Sequence, residues 1–252
     1  MNIVLFDIDE IKMEHSCGVL PIDDERAQHC IKVLHKTVGD TFEAGIVGEK
    51  AGIATITSID NDEIHFSFEA LTDGKNLYPL TMIVGFPRPI QLRRLFRDMA
   101  GLGVAHILLC GTELGEKSYM KSDLVTDGTA EKLLREGSVQ AASTHIPKLE
   151  LYNSLSECLE MKKSTDIENV CVALDNEKPE CSLGTILKKF EISSKSQVFA
   201  AIGSERGWSD NERKLLCQSG FTLCSMGTRV LRTETAATVA ASVILEKMGV
   251  LI

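Results

Sequence analysis

Apolar and polar positions change their rhythm once along the chain. Over residues 40–71 the period is two. Ile53, Thr55, Thr57 and Ile59 share one face of a strand, and Ile64, Phe66, Phe68 and Ala70 share a face of the next. Strict alternation punctuated by Gly39, Gly45, Gly48 and Gly52 predicts strands at 40–47, 51–59 and 63–71, a small antiparallel β-domain. One helix is expected at 24–35, opened by acidic residues that suit the positive end of a helix dipole. Asp73-Gly74-Lys75-Asn76 reads as a turn and a linker.

From residue 78 short apolar runs alternate with longer amphipathic ones. Strands are expected at 80–85, 106–110, 170–174, 198–202 and 221–225. Helices are expected at 90–102, 122–142, 155–163, 183–190, 209–218 and 233–248. Gly103 and Gly249 stop two of these helices, and Ser209 with Glu212 forms a capping box at the start of another. Strands separated by helices imply a mostly parallel sheet covered on both faces. The expected class is therefore α/β, with a β-domain over 1–75 and an α/β domain over 76–252.

Charge supports the same division. Residues 1–75 carry 6 Lys and Arg against 15 Asp and Glu, while residues 76–252 carry 21 of each. Phosphate neutralisation needs cations, so any nucleic-acid contact must use local basic patches. The best of these is Arg88, Arg93, Arg94 and Arg97, the last three on about one helix face; the plainer reading is a solvated face. No apolar run is long enough to span a membrane, and the acidic start is unlike a signal peptide, so a cytoplasmic protein is expected. The eight cysteines include no pair spaced to share a zinc ion, and Cys110, Cys171 and Cys224 lie in strand-like runs. Reduced, buried thiols are expected, and no metal.

The chemistry concentrates where strands end. Two glycine-bearing loops follow the last two strands: Gly203-Ser204-Glu205-Arg206-Gly207-Trp208-Ser209 and Met226-Gly227-Thr228-Arg229-Val230-Leu231-Arg232-Thr233-Glu234. A third strand end, Leu174-Asp175-Asn176-Glu177, can share their crevice. Ligands of parallel sheets sit beyond the carboxyl ends of strands, and glycine lets backbone approach them. Ordinary turns remain the alternative. Neither loop is a dinucleotide fingerprint or a phosphate loop, which argues against a nucleotide-dependent oxidoreductase.

GSERGWSDNE resembles the GPEGG segment of the RsmE family of small-subunit rRNA uridine-N3 methyltransferases, and MGTRVLRTETAA resembles that family's LG-x-RILRTETA. The similarity runs over nearly the whole chain. Residues 86–118 match the first helix and strand of the family's catalytic domain. Residues 140–147 line up with its EQSGR-x-x-x-P segment, and HCIKVLHKTVG resembles H-x-x-VLR-x-x-x-G. The sequence departs from the family at Ser204 for Pro, Arg206 for Gly, Ser143 for the Arg of EQSGR, and His35 for the Arg of VLR. Residues 98–104 lack the Lys and Glu of KATELGV.

The resemblance implies a PUA-like β-barrel that binds RNA, followed by a SPOUT domain with a trefoil knot. It implies S-adenosyl-L-methionine as cofactor, small-subunit rRNA as substrate, and a homodimer whose active site lies at the interface. Carried onto this chain, it points to Leu174, Gly203, Glu205, Gly207, Met226, Gly227, Val230 and Leu231 for the cofactor. Arg232 and Glu234 are the residues for chemistry, and Arg229 joins the arginine patch for RNA. Several roles stay open. Glu234 is a base or a first-turn acid, Arg229 a phosphate clamp or a surface residue, and Trp208 a stacking platform or a core indole. Ala236, Ala237, Ala240 and Ala241 offer a small-residue face for a dimer. A catalytically weak relative that binds RNA or ribosomes through the same fold is the alternative function.

Overall fold

The computed structural model describes residues 2–12, 16–162 and 169–251. They group into two units: residues through Asn76 with Ser138–Ile146, and Leu77–Gly137 with Pro147–Ile252.

The first unit is a six-stranded sheet. Its strands are β1 (Val4–Phe6), β2 (Ile11–Lys12), β3 (Cys17–Pro21), β4 (Thr41–Ile46), β5 (Ala51–Ile59) and β6 (Glu63–Thr72), in the order β1-β4-β5-β6-β3-β2. β1 pairs with β4 in parallel and every other pair is antiparallel. Phe6, Leu20, Phe42, Ile46, Ile56, Ile64 and Phe66 fill the core, with Phe6 stacked on Phe66 at 4.8 Å.

The face expected for β6 is buried at Ile64, Phe66 and Phe68, but β5 is corrected. Ala54 and Ile56 point inward, not Ile53, Thr55 and Thr57. A register shift between Ile56 and Ser58 reverses the phase, so Ile59 returns to the core side. The expected helix at 24–35 is α1 (Glu25–Gln28) continued by a wider π turn over His29–Val33. Residues 138–146 belong to this unit through hydrogen bonds such as Asn2 Nδ2 to the Gln140 carbonyl at 2.6 Å. Thr144 Oγ1 adds another, to the Glu49 carbonyl at 2.9 Å.

The second unit is a seven-stranded, wholly parallel sheet. It comprises β7 (Tyr78–Gly85), β8 (Val104–Cys110), β9 (Lys148–Tyr152), β10 (Val170–Leu174), β11 (Cys181–Ser182), β12 (Val198–Ile202) and β13 (Thr222–Ser225). Their order is β11-β13-β10-β12-β7-β8-β9. The central strands are buried on both faces, as a parallel sheet requires.

Helices α2 (Pro89–Leu102), α3 (Asp123–Thr126), α4 (Thr129–Gln140), α5 (Leu155–Lys162), α6 (Leu183–Leu187), α7 (Asp210–Gln218) and α8 (Thr233–Lys247) connect the strands. The single helix expected at 122–142 is two. Ser122 caps the first, and Asp127 accepts from the Thr129 amide at 2.9 Å to restart the second. The expected helix at 183–190 closes after Leu187. Lys163, the expected last residue of the helix at 155–163, lies outside the described residues. All eight cysteines are free thiols, with Cys110, Cys171 and Cys224 buried in strands as expected. Burial pushes the Cys224 thiol up to about 12.

Candidate functional site

The three loops singled out from sequence start from neighbouring strands at one level. β10 lies between β13 and β12, and Leu174 is in register with both Cys224 and Ile202. The chain thus brings the loops after Leu174, Ile202 and Ser225 together at the carboxyl edge, the position where open parallel sheets bind ligands.

The first loop is held from below. Gly203 lies so close to the next turn that a Cβ there would meet the Gly207 carbonyl carbon at 2.8 Å, so no larger residue fits. The Gly207 amide donates to the Ser204 carbonyl at 2.8 Å, closing a tight turn with Glu205 and Arg206 at its exposed tip. Thr112, beyond β8, donates its hydroxyl to Ser204 Oγ at 2.9 Å in a buried contact. Ser209 and Glu212 form the expected capping box of α7. The same Glu212 carboxylate accepts from the Glu113 amide at 2.9 Å, so one buried acid serves two loops.

Trp208 is corrected as a stacking platform. Its indole is buried in the core, and its Nε1 donates to the Leu174 carbonyl at 3.0 Å. An indole satisfied inside the core has no face left for a base. Its role is to tie the first loop to the end of β10.

Behind that tie lies a pair the sequence did not reveal. Asp175 is buried, and its Oδ2 is 2.6 Å from Nε of Arg213 on α7. The other oxygen accepts from the Glu177 and Lys178 amides, each at 2.7 Å. Arg213 also reaches Glu177 at 2.8 Å and Asp210 at 3.1 Å. Burial opposes the Arg213 charge, but Asp175, Glu177 and Asp210 together hold its pKa above the usual range. Asp175 was visible as a strand-end residue. Arg213 sits in an ordinary polar helix start, which gave no signal.

The second loop is open. Gly227 has φ +114°, a conformation only glycine adopts without strain, and nothing lies within 4 Å of where a Cβ would stand. Thr228, Arg229, Val230 and Arg232 are exposed, while Met226 and Leu231 are half-buried. Arg232 occupies the N-cap position of α8 without making a capping bond, so its guanidinium is not consumed by the helix. Thr233 is buried and donates to the Gly203 carbonyl at 3.5 Å, joining the two glycine loops. Glu234, in the first turn of α8, is 5% exposed, and its Oε2 has no hydrogen-bond partner among the described residues.

The arginine patch is partly spent. Arg88 Nε lies 3.2 Å from Glu205, which raises the Arg88 pKa. Arg94 pairs with Asp98 at 3.3 Å and Arg97 with Glu136 at 2.7 Å. Arg93 is exposed. The alanine face of α8 is corrected too. Ala236, Ala237, Ala240 and Ala241 are buried within one chain, where α8 packs on α2, β7 and β12. Among the described residues no cluster of acidic, histidine or cysteine side chains is arranged to hold a metal ion, and no helix is long and apolar enough to cross a membrane.

Comparison with known proteins places this arrangement. An RNA methyltransferase domain model matches residues 74–245. A ribosomal RNA small subunit methyltransferase E from Treponema pallidum is 38% identical, over 97% of this chain and 91% of its own length. Ribosomal RNA small subunit methyltransferase E 1 from Borreliella burgdorferi is 31% identical, over 97% of each chain. Among solved structures, a ribosomal RNA small subunit methyltransferase E from Neisseria gonorrhoeae bound to S-adenosyl methionine shares the fold, with a TM-score of 0.77. That match has 17% identity and covers 98% of this chain and 97% of the other.

Proposed function

The chain belongs to the RNA methyltransferase family that includes ribosomal RNA small subunit methyltransferase E, and from that premise we propose that it methylates N3 of a uridine in small-subunit rRNA, using S-adenosyl-L-methionine. The proposal includes a PUA-like barrel over 1–75 that binds RNA and a trefoil-knotted SPOUT domain over 76–252. It also includes a cytoplasmic homodimer that needs no metal. The observation that carries the reading is the level alignment of the ends of β10, β12 and β13, which sets the three motif loops side by side.

The residues fit the cofactor. Open space beside the left-handed Gly227 and the close packing at Gly203 let the backbone of both loops approach a ligand. Leu174, Gly203, Glu205, Gly207, Met226, Gly227, Val230 and Leu231 would hold it. When bound, S-adenosyl-L-methionine supplies an electrophilic methyl group on a cationic sulfonium, so the protein's work is position and electrostatics.

Uridine N3 becomes nucleophilic as it loses its proton. Arg232, exposed beside the crevice and permanently charged, stabilises the negative charge that then develops on the uracil ring. Glu234 offers a carboxylate oxygen without a partner, which suits a proton acceptor. Because N3 lies on the pairing edge, the target must be unpaired or extruded. Arg93 and Arg229 are exposed for backbone contacts, whereas Arg88, Arg94 and Arg97 must first exchange a carboxylate for a phosphate.

The test is mass spectrometry of rRNA from a strain lacking the gene, complemented by wild-type and Arg232→Ala chains. Loss of one methyluridine on deletion, restored only by the wild type, is the expected result. An unchanged modification profile rejects the reading. The departures at His35 and Ser143 favour the alternative of a catalytically weak relative that binds RNA or ribosomes. Calorimetry with S-adenosyl-L-methionine separates the two, since such a relative need not bind it.

A further inference from the structure

The exposed arginines of α2 and of the loops at the strand ends divide by whether a carboxylate holds them, with Arg93 on α2 near Asp127. Arg88, Arg94 and Arg97 each face a carboxylate of the same unit, at 3.2, 3.3 and 2.7 Å. Arg206, Arg229 and Arg232 are exposed, and among the described residues none of the three has an ion pair or a side-chain hydrogen bond. All three belong to the loops after β12 and β13. These loops are joined where Thr233, next to Arg232, donates to the Gly203 carbonyl, three residues before Arg206.

Arg206 is the best placed of them. It sits at the tip of the turn closed by the Gly207 amide and the Ser204 carbonyl, so its backbone is fixed before any ligand arrives. Glu205, the one acid between Gly203 and Ser209, is already held by Arg88. The charge left over at this turn is therefore that of Arg206. A planar guanidinium with all its donors free, on a rigid turn, is a phosphate ligand that needs little ordering to bind. Residues 1–75 carry only 6 Lys and Arg against 15 Asp and Glu, so cations for phosphate are scarce there and one at this turn counts for more. The GPEGG pattern has glycine at this position, so the cation is a feature of this sequence and not of the motif.

We propose that Arg206 is an RNA-phosphate anchor at the mouth of the crevice, working with Arg229 beside Arg232. The assignment rests on the RNA methyltransferase reading. It differs from the chemical role of Arg232, because a phosphate is equally charged in the ground and transition states. Arg206 should therefore govern RNA binding and leave the methyl-transfer step alone.

The experiment uses the full chain and in-vitro-transcribed small-subunit rRNA. Binding is measured across a salt series, alongside cofactor affinity and turnover, for wild type, Arg206→Gln and Arg206→Lys. Removing one phosphate contact should reduce the slope of log K against log salt by about 0.7–0.9 and weaken RNA binding about threefold or more near physiological salt. The KM for RNA should rise accordingly, with kcat at saturating RNA and cofactor affinity unchanged. Arg206→Lys should keep the slope. If the wild type binds and methylates RNA and Arg206→Gln keeps its full slope and KM, the anchor is overturned while the enzyme reading stands. A fall in kcat with an unchanged slope overturns it as well. If the wild type neither binds this RNA nor transfers methyl to it, the enzyme reading falls and takes the anchor with it.

Discussion

Arg232 and Glu234 stand two residues apart in sequence yet in opposite environments, and their predicted phenotypes differ accordingly. Arg232 is exposed at the start of α8 and makes no capping bond, so replacing it should not harm the fold. A cation aimed at charge that appears only near the transition state should act mainly on turnover. Arg232→Ala is expected to lower kcat about a hundredfold in single-turnover methylation, with cofactor affinity changed far less. Lys at this position should rescue in part if charge is what matters, and not at all if the planar fork is required. Glu234 is buried with one oxygen unpartnered, and such a group usually costs stability. Its place in the first turn of α8 offsets some of that cost through the helix dipole. Glu234→Gln keeps the volume and removes the charge. Turnover is expected to fall about a hundredfold or more, while the thermal midpoint stays level or rises. Full turnover in that variant would leave Glu234 a first-turn acid and nothing more.

Among the elements, α7 shows what was legible and what was not. Its start was readable, because a serine followed three residues later by glutamate is a local signal. Its link to the loop after β10 was not, because the Arg213–Asp175 pair joins residues 38 apart in sequence. The same distinction explains the other differences. The split of the helix expected at 122–142 follows from Asp127 acting as a second cap, which the apolar rhythm overrides in a sequence reading. On β5, Ala54 and Ile56 face the core ahead of the register shift, which returns Ile59 to that side, and a uniform period of two cannot show such a shift. The strand at Val4–Phe6 has only three residues, and Lys148–Tyr152 carries Lys148 and Glu150 among its apolar residues, so neither stands out as an apolar run. The Arg213–Asp175 pair makes a prediction at this scale. The Asp175 side chain is 1% exposed and that of Arg213 9%, so removing the arginine strands a buried carboxylate. Arg213→Met is expected to cost about 3–5 kcal/mol in urea unfolding, followed by the fluorescence of Trp208, the single tryptophan of the chain. Adding Asp175→Asn should recover part of the loss, since it removes the stranded charge. A single variant as stable as the wild type would show that this pair does not hold the loop.

For the whole molecule, the α/β class and the placement of both glycine loops at strand ends were legible, because each rests on local periodicity, whereas the return of Ser138–Ile146 to the first unit was not. Strand order was not, since β13, β10 and β12 become neighbours only through crossovers. The four alanines of α8 that offered a dimer face are buried inside one chain, so self-association needs another surface. Other apolar side chains of the second unit remain outside: Ile90 at 77% exposure, Val230 at 79% and Val239 at 38%. Ile90 lies in the first turn of α2 and Val239 on α8, which packs on α2, while Val230 lies on the loop that leads into α8. Single exposed apolar residues are ordinary on a surface, but three on adjoining elements beside a proposed active site fit a two-fold contact between copies. The wild type is expected to sediment at twice its 27.6 kDa chain mass at micromolar concentration. Val239→Glu should shift it toward monomer by burying a charge against its symmetry mate. If the crevice is completed across that contact, methylation should fall in step with the dimer fraction and recover as protein concentration is raised. A wild type that stays monomeric at micromolar concentration and still turns over would refute the dimer, and with it any role for a second copy in catalysis.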